Sequence, residues 1–518
     1  MGVHLVNPSE MSFGTAVIAC RWLYVLAGAT PRQYGIPSVV DETLEPVDFS
    51  RIQPGDVVGI GIHTMNAARG YAIGRAARER GASVVFGGVH ASLFPAEAFE
   101  RGGAHSVVTG DGDLVWPQVL ADAARGELDR SYQGGKVDGE QMVPARWEIL
   151  PADSYLWGAV QTVRGCPKHC SFCSVWRTDG QRPRLIPPAV VVQEIIALRR
   201  LGFRFIFLSD DNFYPVTLRD LQLAERREDP RLLNELRAIR QKRFELMDRL
   251  SELPDDLMLF TQITMEAADD VEYLQAMRRA HIRGALVGIE SITTDGLKSV
   301  HKGFNSAGPE LVERLRAFSR HRVHVLGSFI FGLATDRPDT FDATADLAQQ
   351  ADVAAAQFVI LTPFPGTLDF LAWEKLVADQ TIDGVPMNRY WLAPSHRRMG
   401  VRVPNPVMSR EDISAGTKRA WDRFYSLPYL WERSRRATKL RERLAFVLVS
   451  KLYRQMYART GLAADSARVQ RAATWVRLMA RPCRTLFKAA PMPSLSVPPY
   501  TAPSVSASAA RVPSETRG

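Results

Sequence analysis

Cysteine is scarce in this chain of 518 residues, which contains only five. Five cysteines argue against a disulfide framework, because they cannot staple so large a chain. The sequence also lacks an unbroken apolar run near the ~20 residues that a membrane-spanning helix needs. Its N-terminus has no basic region followed by a long apolar stretch, as a secretory signal would. These absences predict a protein of the reducing cytoplasm.

The composition is that of an ordinary soluble protein, with 46% apolar and 23% charged residues. The length predicts about three domains, each large enough to bury its own core. The net charge of +9 is placed unevenly. Residues 418–488 contain 18 Lys and Arg against 4 Asp and Glu, a local charge of +14, so the rest of the chain sums to −5. The basic character therefore belongs to one C-terminal segment.

Three of the five cysteines stand close together, as Cys166-x3-Cys170-x2-Cys173. Three thiolates can hold three irons of a four-iron cluster and leave the fourth iron open to a small chelating molecule. A structural zinc site would need a fourth Cys or His at a paired spacing. His169, inside the loop, is the only nearby candidate. The spacing therefore favours an iron–sulfur cluster over zinc.

Residues 1 to about 145 alternate between short strands and helices, which predicts a doubly wound parallel sheet. The predicted strands are 3–6, 38–41, 57–62, 83–86 and 105–108, and the predicted helices are 16–28, 67–80 and 95–101. Ligands of such sheets bind at the carboxyl ends of the strands. Gly87 and Gly88, and the turn 110–113, follow strands. Glycines there let a flat ligand approach the backbone, although they are also ordinary turn residues.

From about 150 to 375 the pattern becomes six strand–helix repeats. The predicted strands are 159–164, 203–209, 257–264, 284–290, 323–331 and 354–361, and helices are predicted at 188–201, 271–281, 309–320 and 338–350. Parallel strands joined by helices close toward a barrel, with the chemistry at their carboxyl ends. The three-cysteine loop directly follows the first strand. A charged stretch, 218–253, is predicted to form one or two solvated helices that decorate this barrel.

The C-terminal part is predicted to be mostly helical from 376 to about 488 and disordered over 489–518, where Pro, Ser and Ala dominate. Segment 440–457 places Leu444 and Leu448 on an apolar face that basic residues punctuate. Such a helix can lie on an anionic membrane, at ~1 kcal/mol per cation, or it can cap the barrel with its charges in water. Both interpretations stay open. No nucleic-acid-binding motif accompanies the charge.

The segment 163–173, including Phe172 before the last cysteine, closely resembles the signature of the radical SAM enzymes. The order of elements resembles the cobalamin-dependent branch of that family, which includes hopanoid methylases and the anaerobic magnesium-protoporphyrin ester cyclase. The resemblance extends over residues 5–8, 59–61, 87–95 and 110–113. It implies a cobalamin-binding domain over 1–145 and a partial (β/α)6 barrel over 150–375. The implied cofactors are a 4Fe–4S cluster, S-adenosylmethionine and cobalamin.

The same resemblance implies roles for individual residues. Cys166, Cys170 and Cys173 would hold the cluster and enable catalysis, and Phe172 would lie beside the cofactors. Asp210 or Asp211 would meet the amino group of S-adenosylmethionine, since a carboxylate suits an ammonium group. Glu290 and Gly327 would approach its ribose and adenine. Gly87, Gly88 and His90 would contact cobalamin, and His63 is a further candidate for the corrin edge.

One departure from the pattern of cobalamin proteins concerns the lower face of cobalt. Some of these proteins carry a D-x-H-x-x-G motif, whose histidine binds cobalt. The corresponding residues here, 9–14, keep the glycine but have Ser9 and Met11 where the motif has Asp and His. No histidine ligand is therefore expected at this point.

The implied activity is methylation of an unactivated carbon of a lipid or natural product. In the family, the reduced cluster cleaves S-adenosylmethionine, the resulting 5′-deoxyadenosyl radical takes a hydrogen atom from the substrate, and methylcobalamin supplies the methyl group. A flavodoxin or ferredoxin would donate the electron. Ring closure or rearrangement is an alternative, as is a non-catalytic iron–sulfur protein at a membrane. A methylthiotransferase is rejected, because it would carry a second three-cysteine cluster and residues 1–145 contain only Cys20.

Overall fold

The computed structural model describes residues 1–10, 16–151, 154–398 and 400–459. The strands are β1 Val3–Asn7, β2 Ala16–Ile18, β3 Ser38–Asp41, β4 Val57–Gly61, β5 Ser83–Gly87, β6 Ser106–Gly110, β7 Ser131–Gly135, β8 Tyr155–Val160, β9 Val163–Arg164, β10 Arg184–Leu185, β11 Phe205–Leu208, β12 Met258–Ile263, β13 Ile282–Glu290, β14 His324–Phe331, β15 Ala355–Ile360, β16 Thr381–Ile382 and β17 Val385–Pro386.

The α-helices are α1 Arg21–Ala29, α2 Ala67–Glu79, α3 Val89–Leu93, α4 Pro95–Gly102, α5 Trp116–Arg125, α6 Val175–Thr178, α7 Pro188–Arg200, α8 Leu218–Arg226, α9 Pro230–Ser251, α10 Val271–Arg279, α11 Thr294–Ser299, α12 Gly308–Arg320, α13 Thr340–Gln350, α14 Leu368–Leu376, α15 Ser395–Arg398, α16 Arg410–Phe424, α17 Leu427–Arg433 and α18 Leu440–Arg459. Short 3-10 turns join several of them.

The first sheet has the strand order β3-β1-β4-β5-β6-β7, with every neighbouring pair parallel. This confirms the predicted doubly wound fold. The order reverses between β1 and β4, and doubly wound sheets bind their ligands at such a switch point. Strand β4 is buried because all of its residues are apolar or glycine, and β1 is buried although it includes His4 and Asn7. The outermost strand β7 was not predicted, since among its five residues only Tyr132 is buried.

The predicted helix 16–28 is wrong at its beginning. Residues Ala16–Ile18 form strand β2, which pairs in parallel with β8 of the second sheet, and helix α1 begins only at Arg21. A three-residue strand carries too little periodicity to be recognised. The edge of β8 satisfies its backbone hydrogen bonds, so a distant strand decides the local conformation.

The second sheet has the order β15-β14-β13-β12-β11-β8-β2. Its six strands from β8 to β15 lie side by side in chain order and in parallel, which confirms the partial (β/α)6 barrel. The first of them ends at Val160, earlier than predicted. Strand β9 instead pairs antiparallel with β10. The three-cysteine loop therefore begins directly after one strand of a short ribbon and is closed by the other.

Two helices, α8 and α9, occupy the charged stretch between β11 and β12, as predicted. They are not fully solvated, however. Arg243 of α9 is buried, with its guanidinium carbon 4.0 Å from the ring centroid of Phe213. A cation over an aromatic face is stabilised electrostatically, and more so when it is desolvated.

The C-terminal region packs against both domains. Trp421 of α16 donates from Nε1 to the carbonyl of Phe358 in β15 at 2.8 Å. Trp391 is fully buried and donates to both oxygens of Glu97 in the first domain. Arg398 pairs with Glu10 and donates to the carbonyl of Met65 at 3.0 Å. This region therefore joins the barrel to the first domain.

Helix α18 turns two of its basic side chains toward the protein. Lys451 donates to the carbonyl of Tyr425 at 2.6 Å, and Arg454 pairs with Asp422 at 2.9 Å. Leu444 and Leu448 are instead more than half exposed. Among the described helices, none is both long and apolar enough to cross a bilayer. The predicted tail 489–518, Cys483 and Met11 lie outside the described residues.

Candidate functional site

The three predicted cluster ligands lie on one loop at the carboxyl end of the first barrel strand. Gly165, which begins this loop, has φ +92°, and a Cβ there would lie 2.8 Å from the carbonyl oxygen of Arg182. Only glycine fits this close approach. The amide of Cys166 then donates to the carbonyl of Gly180 at 3.0 Å. The loop is thus held at the ribbon that β9 and β10 form.

All three thiols are free of disulfides. Burial raises the pKa of Cys166 to about 11 and that of Cys173 to about 12, and it also raises the pKa of Cys170. The charge of Asp211 raises the pKa of Cys166 and Cys173 further, and the charge of Glu290 raises that of Cys170. Without a metal these thiols are therefore protonated at neutral pH, so metal binding would release their protons.

Cys166 and Cys170 each act electrostatically on Cys173, and Cys170 acts on Cys166, so the three thiols lie close together. Within the residues that the structure describes, no three His, Cys, Asp or Glu side chains are placed to hold a single metal ion. A four-iron cluster binds each thiolate to a different iron. Three free thiols on one loop therefore fit the predicted cluster.

Asp210 lies beneath this loop and is fully buried. Its carboxylate accepts from the amides of Thr162 and Val163 at 2.5 and 2.9 Å and from the Thr162 hydroxyl at 2.5 Å. Arg243 lies 3.9 Å away. These contacts make Asp210 an anchor for the turn that leads into the cysteine loop. Its placement disfavours the predicted contact with S-adenosylmethionine.

Asp211 contacts the first residue of the cysteine loop. Its Oδ2 accepts from the amide of Gly165 at 2.7 Å, next to Cys166. Burial, followed by repulsion from Asp179, raises the pKa of Asp211 to about 7. Its charge also acts on Cys166 and Cys173, which shows that it lies close to both.

Glu290, at the end of β13, forms a buried ion pair with Lys302, with Oε1 and Nζ 2.7 Å apart. Its backbone has φ +68°, a region that non-glycine residues rarely adopt. Both charges act on Cys170. Lys302 was not predicted, because no sequence pattern shows that a single lysine twelve residues further along the chain would pair with Glu290.

The other two barrel residues of the prediction take packing positions. Phe172 is half-buried and packs beside a small cluster that includes Val300 and Leu361. A Cβ on Gly327 would lie 3.0 Å from Cδ1 of Ile289 in the neighbouring strand. Contacts of these two residues with a cofactor stay predictions.

The glycines at the edge of the first sheet differ in what surrounds them. A Cβ on Gly87 would lie 3.9 Å from the carbonyl oxygen of Val108, which is an ordinary contact distance. Gly88 has φ +90°, and a Cβ there would lie 2.6 Å from the carbonyl oxygen of Ile62. Gly88 therefore forms a tight turn that only glycine fits, whereas Gly87, directly before it, is not crowded.

His90 does not face this space. It is fully buried among aromatic rings, with Nδ1 3.3 Å from the hydroxyl of Thr64 and Nε2 3.5 Å from Glu97. The ring therefore offers no exposed edge to a ligand, which disfavours the predicted cobalamin contact. His63 is more exposed and stands just after β4, at the switch point of the sheet.

The edge of the first domain meets the cysteine loop through charged side chains. Arg164, two residues before Cys166, lies 2.8 Å from Asp111 and 3.1 Å from Asp113. Arg184 of β10 also pairs with Asp111. We call these four side chains the interdomain clamp. Sequence reasoning noted only the turn that holds the two aspartates, since the arginines are more than fifty residues away.

A second contact lies on the opposite side of the loop. A Cβ on Gly366 would lie 3.2 Å both from Leu93 of the first domain and from Ser174, directly after Cys173. Arg177 donates to the carbonyl of Gly366 at 3.2 Å. The carboxyl edges of the two sheets therefore face each other across the cysteine loop.

Residues 160–348 match the model of the radical SAM superfamily. These residues form a radical SAM domain. The chain is 29% identical over 385 residues to the bacteriochlorophyllide d C-12(1)-methyltransferase of Chlorobaculum tepidum, an alignment that covers 72% of the chain and 77% of the relative. It is 29% identical over 235 residues to the hopanoid C-2 methylase of Rhodopseudomonas palustris, covering 45% and 40%. It is 23% identical over 313 residues to the anaerobic magnesium-protoporphyrin IX monomethyl ester cyclase of Rubrivivax gelatinosus, covering 54% and 51%.

Solved structures share the whole architecture. The methyltransferase TsrM from Kitasatospora setae, with cobalamin and a 4Fe–4S cluster bound, matches with a TM-score of 0.59 and 18% identity, over 82% of this chain and 89% of that one. OxsB, with aqua-cobalamin and S-adenosylmethionine bound, matches with a TM-score of 0.58 and 13% identity, over 94% and 76%. The prediction of a radical SAM enzyme with this fold is confirmed.

Proposed function

We propose that this enzyme is a cobalamin-dependent radical SAM methyltransferase that acts on an unactivated carbon. The observation that carries the proposal is the meeting of two sheet edges. The carboxyl edge of the first sheet, where doubly wound sheets bind their ligands, meets the three-cysteine loop through the interdomain clamp. Two proteins similar to this chain, a bacteriochlorophyllide d C-12(1)-methyltransferase and a hopanoid C-2 methylase, also support it.

The residues of this chain would hold three cofactors. Cys166, Cys170 and Cys173 fit a 4Fe–4S cluster, which supplies an electron that cleaves S-adenosylmethionine. Asp211, whose carboxylate lies beside the loop, would accept a hydrogen bond from the amino group of S-adenosylmethionine. Cobalamin, which would supply a carrier for the methyl group, would lie at the turn of Gly87 and Gly88, at the carboxyl edge of the first sheet. The interdomain clamp would fix the distance between the last two sites, and the facing edges would exclude water from them.

The cobalamin part of the proposal can be tested at Gly87. A leucine side chain at this position should project into the proposed cobalamin site, and the backbone should not be strained, because the Cβ meets no atom within 3.8 Å. Gly87→Leu should therefore fold, bind its iron and lose cobalamin, whereas Gly87→Ala should retain it. The measurement is the visible spectrum and the cobalt-to-protein ratio after gel filtration. A Gly87→Leu protein that holds cobalamin as tightly as the wild type would contradict this site.

A ring-closing or rearranging enzyme is the second candidate, favoured by the similarity to the ester cyclase. The two functions differ in their products. A methyltransferase should form 5′-deoxyadenosine and S-adenosylhomocysteine together, because the methyl group also comes from S-adenosylmethionine. A cyclase should form 5′-deoxyadenosine alone when its substrate is present. A non-catalytic iron–sulfur protein should form neither.

Two partners complete the proposal. We infer that a flavodoxin or ferredoxin supplies the electron, since the cluster needs a one-electron donor of low potential. We further infer that the substrate is a lipid or natural product and that the C-terminal region contacts an anionic membrane surface. The +14 charge of residues 418–488 and the exposed Leu444 and Leu448 support this contact.

A further inference from the structure

A buried lysine lies beside the cysteine loop and takes no part in holding any of the proposed cofactors. The side chain of Lys302 is 7% exposed, and its ammonium lies 5.9 Å from the ring centroid of Phe172, which stands inside the loop. The segment around it is packed on the loop, since the amide of Ser171 donates to the carbonyl of Val300 at 3.2 Å. The position of this cation relative to the thiols is therefore fixed.

A buried ammonium is unfavourable unless it is paired. Glu290 provides the pair at 2.7 Å, and to do so its backbone adopts φ +68°. Such conformations persist only where the surroundings enforce them, and they are concentrated at functional sites. Although burial opposes it, Glu290 and then Cys170 raise the pKa of Lys302 above its usual range. Lys302 is thus a permanent positive charge that interacts electrostatically with its carboxylate partner and with the thiols.

The consequence concerns the redox potential of the cluster. Reduction adds one electron and no proton, so the reduced cluster carries one more negative charge than the oxidised cluster. A nearby fixed cation stabilises the reduced form, and a nearby anion destabilises it, with little screening in a buried site. Net charge around a cluster is one of the factors that set its potential.

We propose that Lys302 is a positioning residue that raises the reduction potential of the cluster held by Cys166, Cys170 and Cys173, and that Glu290 moderates its effect. The inference rests on the proposed cluster but not on cobalamin or methyl transfer. It assigns the strained backbone of Glu290 a purpose, which is to hold a carboxylate against this one ammonium.

The experiment is redox potentiometry of the reconstituted full chain, followed by EPR in the absence of S-adenosylmethionine. Lys302→Met should shift the midpoint potential to more negative values. Poised at the wild-type midpoint, its ratio of reduced to oxidised cluster should fall about tenfold, which corresponds to about 59 mV for a one-electron couple. Glu290→Gln should shift the midpoint in the opposite direction.

Lys298→Met is the matched control, because Lys298 is an exposed lysine four residues earlier, on α11. Its potential should equal that of the wild type. If Lys302→Met fails to hold a cluster, Lys302→Arg should keep both the charge and the potential, and Glu290→Gln still tests the sign. A purely structural role would not move the two variants in opposite directions.

An unchanged potential in Lys302→Met at full iron content, or shifts of the same sign in both variants, would overturn the inference. Either result would leave the proposed function intact. A wild-type chain that binds no cluster would overturn the proposed function itself, and the inference with it. The two failures are therefore distinguishable.

Discussion

Replacement of Asp111 by alanine removes the carboxylate that two buried arginines share. Its oxygens pair with Arg164 at 2.8 Å and with Arg184, and all three side chains are at most 13% exposed. Although burial opposes it, Arg164 and Arg184 hold the pKa of Asp111 below its usual range. Removal of one partner from a buried pair costs about 3–5 kcal/mol, because the remaining charge is left uncompensated.

The assay is urea unfolding of the full chain at pH 7. Glu245→Ala is the control, since Glu245 pairs with Arg249 on the surface of α9 with both side chains more than half exposed. An exposed pair contributes at most about 1 kcal/mol. The pKa of Asp111 is lower in the folded state than its ordinary value of 3.8. The stability that its carboxylate contributes is therefore present above pH 3.8 and is lost as the pH falls through the pKa of the folded state.

The difference in free energy of unfolding between the wild type and Asp111→Ala should therefore persist at pH 5 and shrink below pH 4. An Asp111→Ala protein that loses no more stability than Glu245→Ala would refute the role of the interdomain clamp. Loss of stability without loss of cobalamin would show that the clamp holds the fold but does not position the two sites.

Two further predictions concern other parts of the chain. Burial raises the pKa of Asp336 from 3.8 to about 6. The wild type should therefore lose up to about 3 kcal/mol of stability as the pH rises from 4 to 6, and Asp336→Asn should not, which urea unfolding across this pH range checks. Glutamate in place of the exposed Leu444 and Leu448 should abolish co-sedimentation with phosphatidylglycerol vesicles, while the helical circular dichroism stays unchanged. Equal co-sedimentation of the variant and the wild type would contradict the membrane contact.

Much of the fold could be predicted because its strands carry local signals. Strands β4 and β5 are short apolar runs that end in glycine, and their predicted bounds agree with the structure to within one residue. Strand β2 and strand β7 escaped prediction for a common reason. Strand β2 pairs with β8, which is distant in sequence, and strand β7 has a neighbour on one side only. Neither strand has enough apolar residues to be recognised from the sequence.

The candidate site divides in the same way. The cysteine spacing is a local signal, and it predicts the cluster loop. Asp210 and Asp211 are adjacent in sequence, yet one is buried under the loop and the other approaches the thiols, which no composition or spacing decides. The pairing of Glu290 with Lys302, and of Arg164 with Asp111, depends on how strands and loops meet in three dimensions.

The central claim is that this chain uses a three-cysteine cluster to run radical methylation. The most direct test is anaerobic reconstitution with iron, sulfide and cobalamin, followed by addition of S-adenosylmethionine and a reductant. The account predicts the EPR signal of a reduced 4Fe–4S cluster, bound cobalamin, and the formation of both 5′-deoxyadenosine and S-adenosylhomocysteine. All cleavage should vanish when Cys166, Cys170 and Cys173 are replaced together by alanine. Cleavage of S-adenosylmethionine by that cluster-free variant would contradict the account.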